Sequence, residues 1–257
     1  MKPLSQHNKE IHSNAHGWKD KELLRIIYSR FYREIATALR STDGTGILEI
    51  GSGIGAIKSV LPHCVTSDIF PNEWLDRTEN AYALSFGDNS LDGIVLFDVF
   101  HHLQYPGLAL KEFLRVLKPE GRVVLFEPAM GWMGRLVYGL FHHEPLGFGN
   151  EIQWEPPPGE KPTLSYYAAQ ANCWRLFQRQ EIAPFGLSGF AVSGVKLSSA
   201  FSYVASGGFS KPQLYPGFLY RPLLSLENHL DKLPQLFATR MLVTLVKTFK
   251  ETPGCEL

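Results

Sequence analysis

Apolar and polar positions divide this chain into two stretches of different character. From Lys19 to Arg40, apolar residues recur at helical spacing: Leu23, Leu24, Ile27, Phe31, Ile35 and Leu39. This predicts an amphipathic helix packed on a core. The residues before it, MKPLSQHNKEIHSNAHG, carry no such stripe and read as loosely ordered. STDGTG (Ser41 to Gly46) then breaks the helix. Next, short apolar runs alternate with helical patterns. ILEI (Ile47 to Ile50) predicts a strand, Ile54 to Leu61 a short helix, CVTSD (Cys64 to Asp68) a second strand and NAYAL (Asn80 to Leu84) a third. GIVLF (Gly93 to Phe97) is apolar throughout, as a strand buried on both faces should be. Pro106 to Leu117 has a broad apolar helical stripe, KPEG (Lys118 to Gly121) reads as a turn, and RVVLF (Arg122 to Phe126) as a fifth strand. Strands alternating with helices imply a parallel sheet with right-handed crossovers.

After Met130 the pattern loosens. WEPPPGEKP (Trp154 to Pro162) predicts an extended loop. In MGWMGRLVYGLFHH (Met130 to His143), the spacing of Trp132, Leu136, Val137, Leu140 and Phe141 reads first as core packing. Phe190 to Leu197 predicts a strand, Leu223 to Pro234 a helix, and MLVTLV (Met241 to Val246) a strand returning to the same sheet.

The chemistry concentrates in LEIGSGIGA (Leu48 to Ala56), where a strand ends in acid-x-Gly-x-Gly-x-Gly and a helix opens. A dinucleotide-binding turn would read G-x-G-x-x-G. Gly51 and Gly53 fit that pattern, but Gly55 comes one position early. A phosphate-binding loop would end in G-K-[ST], which Ile57-Lys58-Ser59 does not match.

The turn resembles the first motif of class I S-adenosylmethionine (SAM)-dependent methyltransferases of the type 11-like group. ALSFGDNSLDGIVLFDVFHHL (Ala83 to Leu103) and ALKEFLRVLKPEGRVVLFEP (Ala109 to Pro128) resemble two further blocks of that family, in order and at matching spacing. The resemblance implies a Rossmann-like α/β fold, with seven strands of which one is antiparallel and helices on both faces. It makes residues 1–257 a single domain: a core with its N-terminal helix at 17–130, a substrate-side insertion or lid at 131–235, and a final strand and tail at 236–257. It implies SAM as cofactor, leaving as S-adenosyl-L-homocysteine. Glu49, Gly51, Ser52, Gly53 and Gly55 would lie along the methionine tail and ribose, and Asp68 with Ile69 at the ribose and adenine. Asn80, Ala81 and Tyr82 would contact adenine, and Phe97 and Asp98 would border the sulfonium. Asn80 stands where the family usually has an acid. The span from Asp68 to Asn80 leaves room for only a turn or two, with Phe70 or Trp74 as a lid on that face.

Physical reasoning is consistent with this placement. Glycines let the backbone approach a ligand closely, amides at a helix start suit a carboxylate, and adjacent strand ends form one crevice. Transfer from a sulfonium depends largely on alignment, and a hydroxyl acceptor adds the need for a base. The candidate bases are His101 and His102 at the strand end, and His142 and His143 in HHEP, with Glu127 and Glu144 nearby. For His101 and His102 a structural role in the turn weighs equally. His142, His143 and Glu144 adjoin without the i, i+4 spacing of helical ligands, so no metal site is expected.

Composition narrows the partners. Lysine plus arginine balance aspartate plus glutamate at 25 each, and no basic stripe stands out. This disfavours nucleic acid. Lys19, Lys21 and Arg25 read as a solvated face. Cys64, Cys173 and Cys255 are odd in number and widely spaced, which argues against disulfides and for a reducing compartment. With no signal-peptide core and no apolar run of membrane-spanning length, the expectation is a cytoplasmic, soluble protein, contact with a membrane surface being left open. The C-terminal half more faintly resembles bacterial methyltransferases of polysaccharide and lipopolysaccharide assembly, implying a saccharide or lipid-linked hydroxyl as acceptor. The alternatives are an RNA or protein methyltransferase, or a SAM-binding protein without turnover.

Overall fold

A computed structural model describes residues 4–162, 166–183, 185–187 and 189–248. Cys255 and the end of the expected C-terminal tail lie outside them. The elements begin with helices α1 (Leu4–Asp20) and α2 (Glu22–Leu39), then strand β1 (Ile47–Ile50), β2 (Val65–Asp68), β3 (Arg77–Thr78) and β4 (Leu91–Phe97). Helix α3 (Pro106–Val116), β5 (Leu117–Pro128) and α4 (Trp132–Phe141) follow. The described residues end with β6 (Phe190–Ser198), α5 (Phe201–Ser206), α6 (Tyr220–Leu230), α7 (Pro234–Phe237) and β7 (Arg240–Lys247).

The seven strands are ordered β3-β2-β1-β4-β5-β7-β6. β1, β2, β3, β4 and β5 pair in parallel, and β7 lies antiparallel between β5 and β6. This is the expected mostly parallel sheet with one reversed strand. Side chains alternate across it. Ile94, Leu96, Val123, Leu125, Met241, Val243 and Leu245 join the core layer that contains Phe100 and Phe113. Val95, Phe97, Val124, Phe126 and Leu242 join the layer built on α2, with Leu24, Ile27, Phe31 and Ile35. Apolar residues on both faces are why β4 and β5 read as unbroken hydrophobic runs.

Several expectations are corrected. The N-terminal segment is helical as α1, and its Ile11 is buried. Lys21 and Arg25 are not a solvated face: Lys21 Nζ donates to the carbonyls of Gly208 (2.6 Å) and Lys211 (2.5 Å). Arg25 Nη1 donates to those of Trp18 and Lys19 at the end of α1, both at 2.6 Å. The helix after the glycine turn shrinks to a 3₁₀ turn at Ala56–Ser59. The third strand is Arg77–Thr78, while Asn80 and Ala83 form only an isolated bridge. KPEG is drawn into β5, with a register shift opposite Leu91 and Gly93.

The largest correction concerns α4. Trp132 (68%), Leu136 (55%), Leu140 (70%) and Phe141 (71%) are exposed, so they are not core. The helix docks instead by its small face. A Cβ on Gly134 would stand 2.0 Å from the Ala129 carbonyl oxygen, an approach that only glycine permits. Gly134 and Tyr138 are buried there and the bulky stripe faces outward. Among the described residues, no helix is long and apolar enough to cross a membrane.

Candidate functional site

Parallel strands place the ends of β1, β2, β4 and β5 at one edge of the sheet, where open α/β sheets form a crevice. A cavity of about 500 Å³ opens there. Of the residues singled out in the sequence, Glu49, Gly51, Ser52, Gly53, Asp68, Ile69, Asn80, Ala81, Tyr82, Phe97, Asp98 and His102 line it. Gly55, His101, His142 and His143 do not. Gly55 turns away, so that a Cβ there would sit 3.0 Å from the Trp74 carbonyl oxygen. Phe70 lines the cavity and Trp74 does not.

The glycine turn follows β1 directly. Gly51 (φ +72°) and Gly53 (φ +55°) adopt the left-handed conformation, which costs an L-residue about 1–2 kcal/mol. Ser52 fixes the turn to β2: its N–H donates to the Ser67 carbonyl (2.8 Å), and its Oγ accepts from the Ser67 N–H (3.0 Å). Glu49 is buried beneath the turn. Burial raises its pKa to about 8, although hydrogen bonds from Ser52 and Tyr32 work against the rise. Its Oε2 has no hydrogen-bond partner. An unpartnered buried acceptor among backbone groups that glycine leaves open is suited to a donor-bearing, cationic ligand group.

Asp68 ends β2 and accepts the Ile69 N–H at 2.7 Å on Oδ1. The Asn80 side-chain oxygen, expected to reach an adenine amino group, accepts the Tyr82 N–H at 2.9 Å. The neighbouring acid, Glu79, also lines the cavity, but its carboxylate accepts the Ser85 N–H (2.8 Å) and Oγ–H (2.5 Å).

Asp98 follows β4 with φ +55°. Arg240 grips its carboxylate with Nη1 and, at 2.7 Å, with Nη2. Arg240 is buried under the rings of Phe97, Phe126 and Tyr203. Because β7 runs antiparallel, its first residue reaches the edge where β4 and β5 end, opposite Pro128. The sequence reading missed Arg240. The only signal for it was a charge opening an apolar strand.

Beyond Asp98, Phe100–His102 form a 3₁₀ turn. Buried Glu127 accepts the N–H groups of Val99 (2.9 Å) and Phe100 (2.8 Å) at the start of that turn, and lies 2.6 Å from His101 Nδ1. It is therefore a structural anchor rather than an open base. His102 Nδ1 lies 2.8 Å from the Tyr167 carbonyl oxygen. Glu144, from HHEP, stays near its sequence neighbours, 3.8 Å from His142 Nδ1 and 4.0 Å from His143 Nε2, and also meets the turn after β4. Its Oε2 lies 3.4 Å from His101 Nε2, and its Oε1 3.6 Å from His102 Nε2. Tyr166 and Gln170 donate to its two oxygens at 2.7 and 2.9 Å. Burial lowers the His101 pKa, but Glu127 and Glu144 overcome it and push it up to about 10. Burial and the adjacent His101 lower that of His102. For Glu144, burial acts upward, and the two histidines with Tyr166 hold it well below the usual carboxylate range.

Residues 131–235 supply Glu144, Tyr166, Tyr167, Tyr203 and Phe209 to the cavity wall. Helix α1 supplies Glu10, Ile11 and Asn14, and α2 supplies Tyr28 and Tyr32. Of these, Glu144 stood out individually in the sequence, Tyr166 and Tyr167 only as part of the aromatic stretch SYYAAQANCWRLF, and those from α1 and α2 not as site residues.

Residues 48–125 match the family profile described as a methyltransferase domain. The O-methyltransferase resE from Aspergillus sclerotiorum is 25% identical over 167 residues, covering 53% of this chain and 63% of that protein. The match thus spans less than two thirds of that relative. A geranyl diphosphate methyltransferase solved in complex with SAM shares the fold with a TM-score of 0.50 at 11% identity, over 86% of this chain and 85% of that one. A SAM-dependent methyltransferase from Archaeoglobus fulgidus gives 0.47 at 15% identity, over 87% and 94%.

Proposed function

We propose that the protein is a SAM-dependent methyltransferase acting on a hydroxyl of a small molecule, such as a saccharide or glycolipid. One observation carries this reading. Glu49, whose buried Oε2 has no hydrogen-bond partner, lines one crevice with Gly51 and Gly53, and the wall of that crevice also holds His102 and Glu144. Glu49 and the turn would hold the methionine tail, and Asp68 the ribose. When bound, SAM supplies an electrophilic methyl group on a sulfonium. The chain's own part is to align the acceptor and exclude water. The insertion forms the acceptor wall, with Tyr166, Tyr167, Tyr203 and Phe209 offering ring faces and hydroxyls to a partly polar ligand. His102 and Glu144, with His101 behind them, are the polar groups of that wall that would receive the acceptor hydroxyl. The curated relative, an O-methyltransferase by name, supports an oxygen acceptor.

Binding raises the melting temperature by linkage, about 2.7 kcal/mol at a hundredfold excess over Kd. At about 2–4 °C per kcal/mol for this size, S-adenosylhomocysteine should raise Tm by roughly 5–10 °C, and Asp68→Ala should lose most of the rise. No shift in the wild type, or a full shift in the variant, would overturn the reading. A turnover screen over sugars, glycolipids and phenols then identifies the acceptor.

A further inference from the structure

The cluster at the insertion wall contains an unresolved electrostatic problem. A backbone carbonyl only accepts, so the contact to Tyr167 O places the proton of neutral His102 on Nδ1. Its Nε2 therefore presents a lone pair. That lone pair faces a carboxylate oxygen of Glu144 at 3.6 Å. His101 Nε2 faces the other oxygen of the same carboxylate at 3.4 Å. Three groups able to act as metal ligands thus converge on one point, with the His102 lone pair turned toward it.

We propose that His101 Nε2, His102 Nε2 and the Glu144 carboxylate bind one divalent transition-metal ion, of which zinc is the representative. The candidate ligand atoms all lie within 4.8 Å of one another. Ligands about 2.1 Å from a tetrahedral centre stand about 3.4 Å apart, and the carboxylate turns one oxygen to each histidine at a similar spacing, Oε2 to His101 and Oε1 to His102. The second shell has the arrangement that metal-binding histidines need. Glu127 holds His101 Nδ1 at 2.6 Å and the Tyr167 carbonyl holds His102 Nδ1, orienting both rings with Nε2 inward. Tyr166 and Gln170 fix the carboxylate in turn. Two histidines and one glutamate leave a fourth position open, as catalytic zinc sites do. His102, Glu144 and Tyr166 border the crevice, so that position is reachable from it.

The inference rests on the methyltransferase reading for its purpose. A hydroxyl in the fourth position would lose its proton to solvent more readily, which is what an oxygen acceptor requires. The competing account is a chain of ion pairs, Glu127–His101–Glu144, with a proton in place of the ion. It serves His101 but leaves the His102 lone pair against Glu144.

The test uses the full chain, stripped with a chelator and titrated with Zn²⁺ at pH 7.5 by calorimetry. Co²⁺ loading is followed by visible absorption. One Zn²⁺ per chain is expected, with intense tetrahedral Co²⁺ bands. Glu144→Gln and His102→Ala, checked for folding by circular dichroism, should each weaken Zn²⁺ binding at least about 100-fold. His229→Ala, which alters an exposed helix histidine elsewhere, should leave it unchanged. Absence of stoichiometric Zn²⁺, or binding indifferent to the two cluster variants, would establish the ion-pair cluster and overturn the proposal. The S-adenosylhomocysteine melting shift is measured on the stripped protein in parallel. A shift without Zn²⁺ binding removes only the metal, whereas Zn²⁺ binding without a shift removes the methyl-donor reading.

Discussion

Glu49 is the residue whose ionisation the fold controls most directly in the ligand-free crevice. Burial raises its pKa from 4.5 to about 8, so at pH 7 the free protein holds it largely protonated. The folded state binds a proton that the unfolded chain releases above 4.5. Stability from this group is therefore complete below that value and declines as pH rises through about 8. A cationic ligand group brought against Oε2 favours the ionised form and expels the proton. S-adenosylhomocysteine binding at pH 7 should therefore release close to one proton, and affinity should rise with pH until about 8 and then level. Calorimetry in buffers of high and low ionisation enthalpy measures the release, and Glu49→Gln should abolish it. A heat independent of buffer would show that Glu49 does not face the ligand's charge. Asp98 and Arg240 form the second such pair, but asymmetrically: the Arg240 side chain is 2% exposed and that of Asp98 32%. Asp98→Asn strands a buried cation and should cost about 3–5 kcal/mol. Arg240→Met leaves a carboxylate that water can reach and should cost less than half of that, by urea denaturation. Equal losses would contradict the asymmetry.

At the scale of elements, the glycine turn is constrained from two sides. Gly51 has φ +72°, and a Cβ there would stand 2.3 Å from Val99 Cγ2, on the segment after β4. Gly51→Ala should therefore cost about 1–2 kcal/mol for its left-handed backbone, plus a further clash with Val99. Adding Val99→Ala should recover the clash and leave the backbone cost, a separation that a double-mutant cycle reads directly. Strict additivity would mean that the two segments do not meet. This turn was legible from the sequence because strand, glycines and acid are contiguous, so local spacing encodes their geometry. Asp68 and the block from Asp98 to His102 were placed by family resemblance rather than by period, and Asp68, Asp98 and His102 do reach the same crevice. Helix α4 was not read correctly. Hydrophobic periodicity gives a stripe but not its partner, and the close approach of Gly134 to Ala129 and Ala238 sets which face docks. Glu144 was visible as a polar residue in HHEP, but nothing local showed that its carboxylate would also meet His101 and His102.

For the molecule as a whole, what the sequence concealed are the contacts made across long separations. Reversal of β7 brings Arg240 to Asp98, and the insertion brings Glu144 back to the strand ends; both depend on topology rather than period. The same holds for α1, whose polar sequence has no strong stripe because it covers a cavity rather than a core. Among its described side chains, the apolar one that is buried is Ile11, whose Cδ1 lies 3.6 Å from where a Gly53 Cβ would be. It also places Glu10 and Asn14 on the crevice. The last turn of α1 and the residue after it are anchored independently, with Trp18 edge-on to Tyr28 at 5.8 Å and Lys21 holding the Gly208 and Lys211 carbonyls. An element that closes a ligand site while adding little to the core belongs to the less stable part of a fold. Removing residues 1–16 should therefore leave the ligand-free unfolding midpoint within about 1–2 kcal/mol of the full chain. The same truncation should weaken S-adenosylhomocysteine roughly tenfold or more, mostly through faster dissociation, because lost closure acts chiefly on the off-rate. Stopped-flow displacement separates the two rates. An unchanged off-rate would mean that α1 lies over the crevice without holding what it contains.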